Sequence, residues 1–374
     1  MANELETQAA RLFTVGFHGK SPSDDLSRLI ARGVGGVIFF SRNVSEPREL
    51  ADVTSHIKRA AGRSLLLAVD QEGGQVARLR KGFTEIPTMR AVGATGDARL
   101  ARAVGALIGH EMRAVGFDMN YAPVLDVDTN PNNPVIGARS FGRTPELVSE
   151  MGVAFAAGLE STGVAACGKH FPGHGDTSQD SHAELPRLPH SFERLERIEL
   201  KPFAAAVSAG IPALMTAHVI FEPLDARYPA TMSRAVLHGL LRERLGYDGL
   251  VVSDDLEMRA IAGHYEIEET VERGLNAGVD HFLCCHTPGL AHRAIEHVVH
   301  AVESGKVSRE TLAAANRRFE AVTRRYARAG VPADTDLSVL RSEAALALVE
   351  RVRLSAALES TPRSDDPTEF RRPE

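Results

Sequence analysis

The sequence predicts an α/β chain folded as a single (β/α)8 barrel of TIM type, with extra helices after the last strand. Three observations lead there. Eight short, nearly continuous apolar runs recur along the 374 residues, as expected of strands covered on both faces. The segments between them carry apolar residues at three-and-four spacing and finish on glycine, the signature of helices. Alternation of the two kinds points to a parallel sheet, and eight strands are enough to close one. An open doubly wound sheet is the alternative.

The expected strands are 12–17 (LFTVGF), 33–40 (GVGGVIFF), 64–70 (SLLLAVD), 117–127 (FDMNYAPVLDV), 163–171 (GVAACGKHF), 212–221 (PALMTAHVIF), 249–256 (GLVVSDDL) and 281–285 (HFLCC). The expected helices include EPRELADVTSHIKRAAG, ARLARAVGALIGHEMRAVG, PELVSEMGVAFAAGLESTG, SRAVLHGLLRERLG and TPGLAHRAIEHVVHAVESG. Residues 308–358 read as two further helices on the outside or bottom of the barrel. No linker divides the chain, so residues 1–358 form one expected domain. Residues 359–374 are polar, charged and proline-containing, the composition of a disordered tail.

Composition narrows the function. Net charge is −6, Trp is absent and aromatic residues make up 5%, so neither a basic footprint nor stacking platforms for nucleic acid are expected. No run approaches about 18 apolar residues, so no membrane span is expected. The N-terminus lacks a basic region followed by an apolar stretch, so no leader is expected. Cys167, Cys284 and Cys285 lie in apolar runs without CxxC spacing, which reads as reduced, buried thiols and a cytoplasmic protein. A monomer is the default expectation.

In a barrel of this kind chemistry sits at the C-terminal ends of the strands. The apolar runs here repeatedly end in charge: Asp70 with Arg78 soon after, Asp126 and Asp128 with Arg139 beyond, Lys169-His170, His218, and Asp254-Asp255 with Glu257. Asp254 follows GLVVS directly and is a candidate nucleophile for an electrophilic carbon. An N-cap role for Asp254 or Asp255 is the alternative. The stretch KHFPGHGDTSQDSH, from Lys169 to His182, suits neither helix nor strand. Within it Asp180 and His182 are spaced so that a carboxylate can fix an imidazole's tautomer and support its charged form, a proton-transfer pair. His174 and Asp176 read as loop-holding residues, with positive φ expected at Gly173 and Gly175. The Glu72-Gly73-Gly74 stretch matches no phosphate-loop pattern and reads as a turn. A zinc site from His170, His174, His182, His218, Asp176 and Asp254 is a second reading, although neither HExxH nor HxH at the first strand is present. A non-catalytic sugar-binding module is a third.

AVDQEGGQVARL, NPVIGARSFG, KHFPGHGDTSQDSH, MTAHV and VVSDDLEM occur in the order seen in the family 3 glycoside hydrolases, and the chain most resembles their bacterial β-N-acetylglucosaminidases of peptidoglycan recycling. The resemblance spans roughly residues 10–340. It implies a retaining exo-β-N-acetylglucosaminidase that acts on muropeptide-type carbohydrate substrates without metal or other cofactor. By resemblance Asp254 is the nucleophile, His182 the acid/base and Asp180 its partner. Asp70, Arg78, Arg139, Lys169 and His170 align with residues that grip the N-acetylglucosamine. Many relatives take a glutamate acid/base from a second domain; this chain shows the histidine loop instead.

Overall fold

The computed structural model describes residues 4–178 and 185–356. Eight parallel strands close into a barrel: β1 Phe13–Val15, β2 Gly36–Phe39, β3 Leu66–Val69, β4 Met119–Asn120, β5 Ala165–Phe171, β6 Ala213–Thr216, β7 Leu250–Asp255 and β8 His281–Cys284. Each pairs with its successor, and β8 returns to β1 through Phe13–Phe282, Thr14–Leu283 and Val15–Cys284. Every strand lies inside one of the expected apolar runs, and the helices between them follow the expected segments, among them Pro47–Ala61, Ala98–Ala114, Pro145–Ser161 and Pro288–Glu303. Three of these four begin on proline, whose missing N–H is no loss in a first turn. Among the described residues no helix is long and apolar enough to cross a membrane.

Two expected strands are shorter than their apolar runs. In 117–127 the regular ladder stops at Asn120, short of Pro123, which has no N–H to give; beyond it a bridge between Val124 and Lys169 and bonds from the Cys167 and Lys169 N–H groups to the Ala122 and Pro123 carbonyls continue the pairing. In 212–221 the barrel strand ends at Thr216. Ile220–Phe221 instead pairs with Arg187–Leu188 in a separate two-stranded ribbon at the rim.

Strand alternation sorts the apolar residues into two cores. Residues pointing outward, such as Phe39, meet the helices, and Phe39 holds Phe17 and Phe117 edge-on at 5.1 Å each. Residues pointing inward, among them Ile38, Leu66, Met119, Cys167, Met215 and Val252, fill the barrel. The helix Arg309–Tyr326 closes the bottom, adding Phe319, Val322 and Tyr326 to that inner cluster. Phe319 stacks on His281 with ring centres 4.4 Å apart. A Cβ at Gly35 would lie 2.3 Å from the Arg11 carbonyl oxygen and 2.7 Å from the Phe319 ring, so only glycine fits between them. The helix Glu343–Ser355, capped by Ser342, lies outside the barrel against Ala98–Ala114. With the bottom filled, the opposite end is left for a ligand.

Candidate active site

At the open end the strands deliver their charged residues to one place. β3 ends just before Asp70, and the chain then folds into a small hairpin, Gln71–Gly73 against Val76–Ala77. Asn120 fastens it to β4: its Oδ1 accepts from the Gln71 N–H at 2.9 Å and its amide donates to the Gln71 carbonyl at 2.9 Å. Gly73 and Gly74, at φ +105° and +60°, make the reversal that an L side chain would resist. The stretch expected to be a simple turn is therefore a strand pair, and it carries Glu72 into the interior. The residue ends up only 1% exposed.

Glu72 is the centre of an ion network. Its two oxygens take the Arg139 guanidinium side-on, Nε at 2.9 Å and Nη2 at 2.8 Å, and Oε1 also meets Lys169 Nζ at 2.6 Å. Lys169 reaches Asp70 Oδ1 at 2.7 Å. Burial penalises the Glu72 carboxylate, yet the Arg139 and Lys169 charges hold its pKa far below the usual carboxylate range. Lys169 and Arg139 are likewise buried, and their carboxylate partners overcome that burial to raise both pKa values. Arg78 follows the hairpin, buried, with its guanidinium 5.7 Å from the Phe40 ring centre.

His170, next along β5, turns its Nδ1 to Asp126 Oδ2 at 2.7 Å. A carboxylate only accepts, so Nδ1 carries the proton and Nε2 is the ring's other polar atom. Asp126 also accepts the His174 backbone N–H at 2.6 Å, tying β5 to the loop beyond it. Asp254 stands near the end of β7, partly exposed between buried Ser253 and Leu256. Its Oδ1 accepts the Asp255 N–H at 2.8 Å. Burial would raise its pKa; the charges of His170 and His218, the Asp255 N–H and Lys169 outweigh that and leave it below the ordinary carboxylate value. Asp254 is therefore an anion at neutral pH, as a carboxylate nucleophile must be. Neither Asp254 nor Asp255 caps a helix: β7 runs through both, and the next helix begins at Arg259 after Met258. Asp255 turns to the protein, where it accepts from the backbone of Glu257 and Cys285 and pairs with His286 at 3.2 Å.

His218 donates Nε2–H to the Asp255 carbonyl at 3.0 Å, and its Nδ1 lies 2.8 Å from Thr231 Oγ1. Burial lowers its pKa, and both nitrogens are committed.

The loop after β5 is pinned by its first half. Asn133 donates to the His174 carbonyl at 2.9 Å, Thr129 Oγ1 to Asp176 at 2.6 Å, and His190 and Arg194 both pair with Asp176. His174 Nδ1 meets Thr177 Oγ1 at 2.9 Å, so His174 and Asp176 do hold the loop. Gly173 has φ +137° as expected; Gly175 does not have positive φ, and its requirement is room, since a Cβ there would lie 1.8 Å from the Val127 carbonyl oxygen. Asp180 and His182 lie outside the described residues.

The structure thus brings Asp70, Arg78, Arg139, Lys169, His170 and Asp254 to the open end of the barrel. The residue missed from sequence is Glu72. Its one signal was its place two residues after an apolar run that ends in charge. Among the described residues no three His, Cys, Asp or Glu side chains are grouped as metal ligands.

Comparison with known proteins adds four relations. The glycosyl hydrolase family 3 N-terminal domain matches residues 4–322. A β-hexosaminidase of Thiobacillus denitrificans is 44% identical over 278 residues, 73% of this chain and 77% of that protein. The structure of a glycoside hydrolase family 3 β-N-acetylglucosaminidase from Paenibacillus sp. superposes with a TM-score of 0.91 at 42% identity, covering 95% of this chain and 69% of that one. NagZ of Neisseria gonorrhoeae, solved in complex with N-trifluoroacetyl-D-glucosamine, gives 0.76 at 31% identity over 92% of this chain and 98% of that one.

Proposed function

The chain belongs to glycosyl hydrolase family 3, and from that premise we propose that it is a retaining exo-β-N-acetylglucosaminidase that works through a covalent glycosyl-Asp254 intermediate. It is a glycoside hydrolase of the β-N-acetylhexosaminidase kind, as its relatives are. The observation that carries the mechanism is Asp254, an ionised carboxylate at the mouth of the barrel, beside His170 and Lys169. The complex of the gonococcal NagZ with an N-acylated glucosamine supports a sugar of that kind as the substrate group.

In the first step Asp254 attacks the anomeric carbon while His182 gives its proton to the departing glycosidic oxygen. In the second, neutral His182 takes a proton from water, whose oxygen displaces Asp254. The scheme is double displacement with net retention, an imidazole standing where a second carboxylate is usual. Asp180 is assigned to orient and charge His182, by resemblance of the DSH segment. Asp70, Arg78, Arg139, Lys169 and His170 hold the sugar in the pocket; charge-assisted donors give both strength and orientation. A terminal β-linked N-acetylglucosamine on an anhydro-muramyl leaving group is the substrate the resemblance supports.

Hydrolysis of 4-nitrophenyl β-N-acetylglucosaminide, with and without EDTA, tests the reading. EDTA-resistant turnover by the wild type, release of the β-anomer by NMR, and its loss in Asp254→Asn and His182→Ala are expected. Inactivity of the wild type, or full activity of Asp254→Asn, would sink it. Abolition by EDTA would replace it with metal-assisted hydrolysis.

A further inference from the structure

We infer that Glu72 is a specificity-determining residue that keeps the sugar pocket electrically neutral, open to an uncharged sugar and closed to anions. The inference rests on the pocket assignment above and goes beyond it, because Glu72 itself need not touch the sugar.

Arg139 and Lys169 are two of the pocket's three buried basic residues; the third is Arg78, whose charge the Asp254 carboxylate offsets in the overall count. Left alone, a buried arginine beside a buried lysine is an anion trap, since a guanidinium takes carboxylate, phosphate or sulfate side-on through two parallel hydrogen bonds. Glu72 already occupies the Nε–Nη2 edge of Arg139, with both oxygens at 2.8–2.9 Å. The same carboxylate meets Lys169 at 2.6 Å, and Asp70 meets Lys169 at 2.7 Å. Asp70, Glu72, Arg139 and Lys169 therefore form a quartet of two anions and two cations whose charges cancel.

Cancellation does not exhaust the hydrogen bonds. Of the five guanidinium N–H groups, Nε and one on Nη2 serve Glu72, and one on Nη1 serves the Val135 carbonyl at 3.2 Å. Among the described residues one N–H on each terminal nitrogen of Arg139, one on Lys169 and the second oxygen of Asp70 have no partner. Single donors and a single acceptor, spread over a neutral frame, suit hydroxyl and amide groups. They do not suit a bidentate anion. Glu72 is also fixed where it is, because the hairpin that carries it is bonded to Asn120 on both sides of Gln71.

The test uses inorganic sulfate as the anion at constant ionic strength, with wild type, Glu72→Gln and Asp70→Asn. Each variant leaves the quartet with one net positive charge. Asp70 is less buried, so Asp70→Asn remains informative where Glu72→Gln does not fold. Sulfate is expected to inhibit hydrolysis of 4-nitrophenyl β-N-acetylglucosaminide competitively, about tenfold more tightly in the variants than in the wild type, a unit charge at short range in a partly screened site. Sulfate should also raise the melting temperature of the variants and not of the wild type, by ligand linkage. The thermal readout needs no turnover, so it judges the charge balance even where the wild type proves inactive and the reaction assignment fails. Equal sulfate sensitivity in all three proteins overturns the inference. So does sulfate that stabilises the variants without competing with substrate.

Discussion

The two ends of the barrel use the same residue types for opposite purposes. At the bottom, Asp118 stands just before β4 and Asp280 just before β8. Asp118 accepts the Leu67 N–H at 3.0 Å and holds Lys58 at 2.8 Å and Arg113 at 2.9 Å. Asp280 accepts the Val251 N–H at 2.8 Å and holds Arg242 at 2.6 Å and Arg318 at 3.2 Å. Each carboxylate spends itself on a neighbouring strand and on helix-borne cations, and Phe319 fills the space between. At the top, Glu72 and Asp126 also hold cationic or imidazole partners, and among the described residues Asp254 has no ion pair. A buried carboxylate at a strand start welds the barrel; one at a strand end builds a pocket.

The sharpest way to break this contrast is to remove one carboxylate from each end. Asp254→Asn should cost at least about 10³-fold in kcat, as loss of a covalent nucleophile does when acting groups work as a unit. Its melting temperature should stay near the wild-type value, because Asp254 holds no strand or helix in place. Kinetics and calorimetry on the same preparation check both halves. A fall in stability as large as the fall in rate would mean that Asp254 is structural.

Asp118→Asn should do the reverse. It leaves Lys58, itself 7% exposed, buried without its counter-charge, and breaking such a pair costs about 3–5 kcal/mol. Activity per folded molecule should remain. Denaturant unfolding together with kcat measures the two separately; wild-type stability in Asp118→Asn would remove the welding role.

That difference also explains what was legible in the sequence. Apolar runs and helical spacing place all eight strands, because a strand buried on both faces leaves little choice of residue. The charged strand ends at Asp70, Lys169-His170 and Asp254 are visible for the same reason: charge breaks the run. Asp118 and Asp280 break it equally, at the other end, and only the barrel's direction tells welding from chemistry. Glu72 was hidden for a different reason. Its neighbours Gly73 and Gly74 read as a turn, and sequence spacing does not show that a hairpin two residues past β3 points its glutamate at Arg139, 67 residues away. The DxH pair of Asp180 and His182 was legible as a motif, and it lies outside the described residues.

A pH profile of stability sharpens the comparison with a smaller effect. Burial lowers the pKa of His174, on the loop after β5, to about 4, and that of His281, at the bottom, to about 3, from 6.5. Folded pKa values below the unfolded one mean that the unfolded chain binds more protons in that window, so stability rises with pH. Each histidine should therefore withdraw about 1.4 kcal/mol per pH unit as pH falls from 6.5 towards its folded pKa. Stability curves between pH 7 and 4.5 should flatten by that slope in His174→Gln and in His281→Asn alike. The activity profile should flatten in neither, since neither ring gives the proton to the departing glycosidic oxygen. A shift of the kinetic pKa in His174→Gln would place that ring in the proton path instead of in the loop's scaffold.

The smallest effect separates two aspartates within the bottom itself. Asp248 also holds an arginine there: Arg318 Nη2 lies 3.0 Å from its carboxylate, close to the 2.9 Å between Arg113 and Asp118. The distances match and the surroundings do not. The Asp248 side chain is 90% exposed and that of Asp118 is 0% exposed. Water and salt already solvate Asp248, and Arg318 keeps a second carboxylate in Asp280 when Asp248 is lost. Asp248→Asn should change stability by no more than about 0.5 kcal/mol, several kcal/mol less than Asp118→Asn. Parallel urea titrations of the two variants decide whether burial, and not ion-pair distance, sets the strength of the bottom of the barrel; equal losses would mean that distance does.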